Sequence, residues 1–139
     1  MKKFFYFIIF VFFLSNTLLA MSDYFQEGVN LFNKKKFDDA KLKFEQDILF
    51  NPKSELSYLY LSKIFNEKDK KNLEEQNLET VILLNPENEE AVYNLAKLKL
   101  STSDYKSSLE LNEKLKKICK KYCSQSIKLK IEIETLSKK

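Results

Sequence analysis

Cys119 and Cys123 are the only cysteines, and they stand four residues apart in Cys119-Lys120-Lys121-Tyr122-Cys123. Three chemistries suit such a pair. In an oxidising compartment it closes as a disulfide, and at a helix end this separation brings the sulfurs together where an undistorted helix would strain them. The flanking Lys116, Lys117, Lys120 and Lys121 favour thiolate and so suit a thiol-active pair. The third state is two inert thiols. A disulfide that clips the last helix to the segment after it is the expectation. No metal and no cofactor are expected: the chain has no His, so neither an imidazole ligand nor the His of a c-type haem attachment is present.

The acidic pairs Asp38-Asp39, Glu74-Glu75 and Glu89-Glu90 invite an acid–base reading. Adjacent residues on a helix point apart, so none of these pairs shares a pocket. Asp38 and Glu89 are explained by favourable charge at helix starts. With no His to act as base and a single Gly, Gly28, neither a Ser–His nucleophile nor a Gly-rich phosphate cradle is expected. The chain is not expected to be an enzyme or to take a small-molecule substrate.

All 24 basic residues are Lys, so no planar Arg fork for phosphate or carboxylate exists. Charge is uneven. Residues 21–96 hold 10 Lys against 15 acids, and residues 97–139 hold 12 Lys against 5 acids. A basic C-terminal part suits an acidic partner, a phospholipid surface or nucleic acid, although surface Lys is most often simply solvated. Nucleic acid is not an expected partner, since Arg is absent and export is indicated.

Export is read from the first twenty residues. Lys2 and Lys3 precede an unbroken apolar run from Phe4 to Leu14, then come Ser15-Asn16-Thr17 and Leu18-Leu19-Ala20. The run falls short of the roughly 18–20 residues that cross a bilayer as a helix. Residues 1–20 are expected to be a signal peptide, with an uncleaved anchor as the competing reading. The rest is then periplasmic or secreted, or held at the inner membrane facing the periplasm. The membrane enters only through this segment, and no Cys near the cut suggests a lipoprotein.

The remaining chain repeats. Leu49-Phe50-Asn51-Pro52 and Leu83-Leu84-Asn85-Pro86 lie 34 residues apart. The same offset aligns Tyr24 with Tyr58, Leu31 with Phe65, Phe44 with Leu78 and Ile48 with Ile82. One more step aligns Leu61 with Leu95 and Ser62 with Ala96. Each unit reads as two helices, about 22–33 with 37–50, 54–66 with 70–84, and 88–100 with 104–117. Apolar residues recur at helical spacing, as in Leu61, Ile64 and Phe65. Asn-Pro ends the first two second helices, because Pro disfavours a helical residue before it. Asn88 and Ser103 read as N-caps.

The pattern Tyr24-x-x-Glu27-Gly28-x-x-Leu31, then Ala40-x-x-x-Phe44, then Pro52, resembles the tetratricopeptide signature. That resemblance implies an all-α fold, an α-α superhelix of about three hairpins, with repeats near 21–54, 55–88 and 89–122 and a capping helix at 123–139. Residues 21–139 would form one domain. Gly28 and Ala40 would be the small residues where paired helices cross, a role repeated at Ser62 and Ala96. Tyr24, Leu31, Phe37 and Phe44 would fill the hairpin. The third unit departs from the pattern, with Lys99 for a large apolar residue, Ser108 for the small one and Asn112 for an aromatic. Lys35, Asp69 and Ser103 stand where Gly is usual in the turn, so those turns are expected to differ.

The family binds peptides or partner helices along the concave face lined by its first helices. By position this face would present Phe25, Gln26, Val29 and Phe32, then Leu59, Tyr60 and Lys63, then Tyr93, Asn94 and Lys97. Aromatic side chains there give large burial at low entropic cost. The alternative is that several pack into the core. Phe25 and Val29 occupy two positions at which some members grip a carboxylate, so that mode is not expected.

The cap is ambiguous locally. Ile127, Leu129, Ile131 and Ile133 alternate with Lys128, Lys130, Glu132 and Glu134, a strand-like period of two. A lone strand on helical hairpins would leave its ladder groups unpaired, so a helix is expected. The chain as a whole is expected to be a non-catalytic interaction module or adaptor of the bacterial envelope with a protein partner. The other readings are a thiol-active protein using Cys119 and Cys123, and a membrane-tethered structural subunit.

Overall fold

A computed structural model describes residues 23–138, so the expected signal segment 1–20 lies outside the described residues. Among them every regular element is a helix. Residues 23–33 are helical (α1). They are followed by α2 (Phe37–Phe50), α3 (Glu55–Glu67), α4 (Lys71–Leu84), α5 (Glu89–Ser101), α6 (Tyr105–Ile118) and α7 (Cys123–Leu136). None of the described helices is long and apolar enough to cross a membrane. The chain divides into two compact units, one ending at Tyr60 and the other beginning at Leu61.

The turn inside each hairpin is the same structure three times. The N–H of Lys35 bonds to Phe32 O at 2.8 Å, and that of Lys36 to Leu31 O at 3.0 Å. Asp69 and Lys70 repeat this on Asn66 and Phe65, and Ser103 and Asp104 on Leu100 and Lys99. These paired bonds close the helix in a Schellman motif, which needs a left-handed residue just past the helix. Lys35, Asp69 and Ser103 supply it at φ 58°, 52° and 62°. The expectation that the missing Gly would alter these turns is therefore corrected. The motif satisfies carbonyls that the helix end leaves open, and a non-Gly residue tolerates the strain. Ser103 is thus a turn residue and not the N-cap expected from sequence. Asp104 caps α6 instead, its side chain accepting from the Ser107 N–H at 3.1 Å. The Ser107 side chain first, and then this N–H, hold its carboxyl below the ordinary aspartate range. Asn88 does cap α5, accepting from the Ala91 N–H at 2.9 Å.

In the first unit the small residues sit as expected. Gly28 and Ala40 are buried, and Phe44 is fully buried beside Gly28. Asp47 is also buried, and it accepts bonds from the hydroxyls of Ser54 and Ser57 as the chain enters α3. These two hydroxyl bonds tie the last turn of α2 to the start of α3.

In the second unit α4, α5, α6 and α7 pack in sequence order. The third repeat forms fully despite its departures. Ser108, in the place of Ala40, is fully buried and donates to Ala96 O at 2.8 Å. Asn112, in the place of Phe44, accepts from Ser126 Oγ of α7 at 3.0 Å, with both side chains buried. The equivalent of Ala40 in the second repeat is Glu74, buried with both oxygens on Asn66 Nδ2 at 3.1 Å, and burial raises its pKa.

Residues 126–134 lie in α7, as expected from context. The alternation is compatible with a helix because Leu129 and Ile133 are one turn apart, as are Ile127 and Ile131. Leu129 and Ile133 are buried against Ala96 and Leu100, while Ile127 and Ile131 face outward at 65% and 61% exposure.

Candidate functional site

The residues expected to line a binding face divide between the two units. In the first, Phe25 and Phe32 of α1 meet Tyr60 of α3 edge-on, with ring centroids at 5.8 and 5.2 Å. Phe44 stacks on Tyr60 at 5.0 Å, and Phe37 lies 5.5 Å from Phe32. Edge-to-face and offset pairs at these distances are the arrangements aromatic quadrupoles favour. Spacing explains the convergence: positions 25, 29 and 32 share one face of α1. Phe25, Val29, Phe32 and Tyr60 are each half-buried, and Gln26 is exposed beside them. The result is an aromatic surface whose rings hold one another in place while keeping open edges.

Leu59 is corrected: at 4% exposure it belongs to the core. It neighbours Tyr60 in sequence, and adjacent helical residues point about 100° apart, so one turns inward where the other stays open.

In the second unit the expected face is largely occupied by the protein itself. Lys63 pairs with Glu90 at 2.8 Å. Tyr93 packs against Tyr122 at 5.4 Å and against the cluster that α7 covers. Burial, with Glu90 next, raises the Tyr122 pKa. Asn94 is half-buried, and Lys97 is exposed.

The acidic pairs diverge as helical geometry requires. Glu74 turns inward to Asn66 while Glu75 reaches Lys99 at 2.5 Å. That hydrogen bond raises the Lys99 pKa and explains a Lys where an apolar residue was expected. Glu89 does more than sit at a helix start. Its Oε2 accepts from three consecutive backbone N–H groups, those of Lys120, Lys121 and Tyr122, at 2.8, 2.9 and 2.9 Å. These bonds, Tyr122's first, hold its carboxyl below the ordinary glutamate range. Successive N–H groups turned to one point form an anion-binding nest. Nothing local in the sequence signals it, because the partners lie more than thirty residues away.

The same three residues are enclosed by the Cys119–Cys123 disulfide, with Cα atoms 5.2 Å apart. Asn51, Asn85 and Cys119, each 34 residues from the next, end α2, α4 and α6. After the first two the chain continues into Pro, and after the third into the disulfide ring. Among the described residues no group of three or more potential ligands could hold a metal ion.

Solved structures decide the family resemblance at the level of fold. The TPR2B domain of yeast Sti1, solved as a pHsp70 complex, superposes at TM-score 0.78. It shares 14% identity over 85% of this chain and 98% of its own. The fold is that of a tetratricopeptide-repeat domain. The Yersinia enterocolitica type III secretion chaperone SycD, in complex with a peptide of the translocator YopD, is similar to this tetratricopeptide domain at TM-score 0.74. It shares 12% identity over 89% of this chain and 96% of its own. The Sgt2 domain of Aspergillus fumigatus reaches 0.73, with 15% identity over 86% and 83%. No family model and no curated protein sequence matches this chain.

Proposed function

We propose that this tetratricopeptide domain binds a peptide or helix of a protein partner on the aromatic face of its first unit, without catalysing a reaction on it. The observation that carries this reading is the half-open cluster of Phe25, Phe32 and Tyr60, flanked by Val29 and exposed Gln26. Rigid aromatic rings with accessible edges lose little entropy on binding and bury large areas. Similar domains, the first TPR of Spaghetti and SycD, are described as bound to an HSP90 peptide and to a peptide of YopD. The partner segment is apolar in its contact residues, since the face offers rings and Val29 and no free Arg-type fork. In the second unit the corresponding positions are engaged with Glu90, Tyr122 and α7, which concentrates recognition on the first.

The module works outside the cytoplasm in this reading, as an adaptor of the envelope. The two Lys, the apolar run and Ala20 of residues 1–20 support export, and so does a cysteine pair drawn together as a disulfide.

The test is peptide selection from a displayed library, followed by titration calorimetry on the wild type and on a Gln26→Lys, Val29→Glu variant with unchanged circular dichroism. Apolar peptides should emerge, and the variant should bind them at least about tenfold more weakly, a change of about 1.4 kcal/mol. Equal binding by both proteins removes the first-unit face from the mechanism.

A further inference from the structure

The Cys119–Cys123 bond sits in the wall of an open hollow of about 280 Å³ between α6 and α7, together with Lys116, Ile127 and Ile131. Cys123 is exposed and Cys119 half-buried. Ile127 and Ile131 give the hollow an apolar wall that no other described element covers.

Cys123 is also the first residue of α7, a helix with no acidic residue in its first turn. A thiolate there meets the positive end of the helix dipole and its open N–H groups. Lys116 lines the hollow, and Lys120 and Lys121 lie between the two cysteines. Of the nearby acids, Glu89 stays ionised on the ring's own N–H groups, with the Lys120 charge beside it. Glu113 pairs with Lys130 at 3.5 Å. Glu134 lines the far end of the same hollow, eleven residues along α7 from Cys123 and about 16 Å away at helical rise.

The bond is not what holds this region together. The ring is anchored through its N–H groups to Glu89, and α7 through Ser126 to Asn112 and through Leu129 and Ile133 to the core. A loop that encloses only three residues also restrains the unfolded chain less than a long one does. Structural disulfides resist reduction, whereas exposed ones beside positive charge exchange readily.

From these observations we infer that Cys119–Cys123 is an exchange-active disulfide that oxidises a dithiol polypeptide docked along Ile127 and Ile131. A partner thiolate attacks Cys123 Sγ, the Cys119–Cys123 bond breaks, and Cys119 leaves as thiolate and takes a proton. The partner's second thiolate then attacks its own sulfur in the mixed disulfide and expels Cys123, whose thiolate α7 stabilises. The partner loses two electrons and gains a disulfide. The chain gains two electrons and two thiols, the protons coming from the partner's thiols. The site lies wholly in the second unit and does not depend on the peptide-binding face of the first.

The test uses the mature chain with glutathione and with a synthetic peptide carrying two cysteines among Leu residues. Thiols are counted by mass spectrometry after acid quenching. Reduced glutathione in excess should open the bond with the helical circular dichroism signal unchanged. In Cys119→Ser, oxidised glutathione should form a mixed disulfide on Cys123. That reaction should be at least about tenfold faster than on Cys119 in Cys123→Ser, as expected for a thiolate at a helix start. Ile131→Lys should slow oxidation of the peptide and leave the reaction with glutathione unchanged. A bond that survives excess glutathione overturns the inference, as does loss of helix on reduction, or equal reactivity of the two single cysteines. If Ile131→Lys oxidises the peptide at the wild-type rate, docking along α7 is wrong.

Discussion

A Cβ on Gly28 would stand 2.7 Å from Cε1 of Phe44, inside van der Waals contact. The ring cannot swing away, because it is fully buried with Phe25 at 5.9 Å and Tyr60 at 5.0 Å. Gly28→Ala gains up to about 1 kcal/mol of helix propensity and loses about 1–3 kcal/mol to overpacking. Chemical denaturation should show a net loss of about 1 kcal/mol. Adding Phe44→Leu should recover part of it, since the smaller side chain vacates the crossing.

The three left-handed turn residues lead to a stabilising prediction. Glycine adopts positive φ without steric penalty, so Lys35→Gly and Ser103→Gly should each raise stability by about 0.5–1 kcal/mol in thermal denaturation. Asp69→Gly should gain least, because Asp tolerates this conformation better than Lys or Ser. A loss of stability at all three positions would mean that the turns are held in some other conformation in solution.

Acid should loosen the attachment of the α6–α7 loop to α5. The folded-state pKa of Glu89 is depressed by the N–H groups of Tyr122, Lys120 and Lys121. Its contribution is therefore complete above the unfolded glutamate pKa and disappears as pH falls through the lower folded value. Glu89→Gln should lower the melting temperature at pH 7 and flatten the acid limb of the stability profile. Near pH 2 wild type and variant should converge. An unchanged profile would show that the three N–H groups bond equally well to a neutral side chain.

The buried Asn112–Ser126 bond separates pairing from packing. Ser126→Ala leaves Asn112 Oδ1 without this donor in the interior and should cost about 1–3 kcal/mol. Replacing both, Asn112→Leu with Ser126→Ala, removes the polar demand and restores the apolar residue that Leu78 supplies one repeat earlier. The double variant should lie within about 1 kcal/mol of wild type, and this double-mutant cycle isolates the pair.

What the sequence determined by itself is what period and residue size control. The spacing of 34 placed six helices to within about two residues. Gly28 and Ala40 were readable as crossing points because only small residues admit a close approach. The helical reading of 126–134 needed context, since local alternation favoured a strand. The proposed export draws on residues 1–20 and on the cysteine pair, and the repeat contributes nothing to it.

Tertiary structure decided whatever depends on which neighbour arrives at a given face. Leu59 and Tyr60 are consecutive and both apolar, yet one enters the core and the other joins an open aromatic surface. Tyr93 was consumed by α7, which sequence could place only as a cap. Lys35, Asp69 and Ser103 adopt the left-handed conformation because the hydrogen bonds of the turn outweigh the strain that a side chain carries there. Glu89 meets its three N–H donors across 31–33 residues, a relation that no local pattern encodes. Periodicity records how each helix is made, and the role of a side chain at its surface is fixed only when the next helix packs against it.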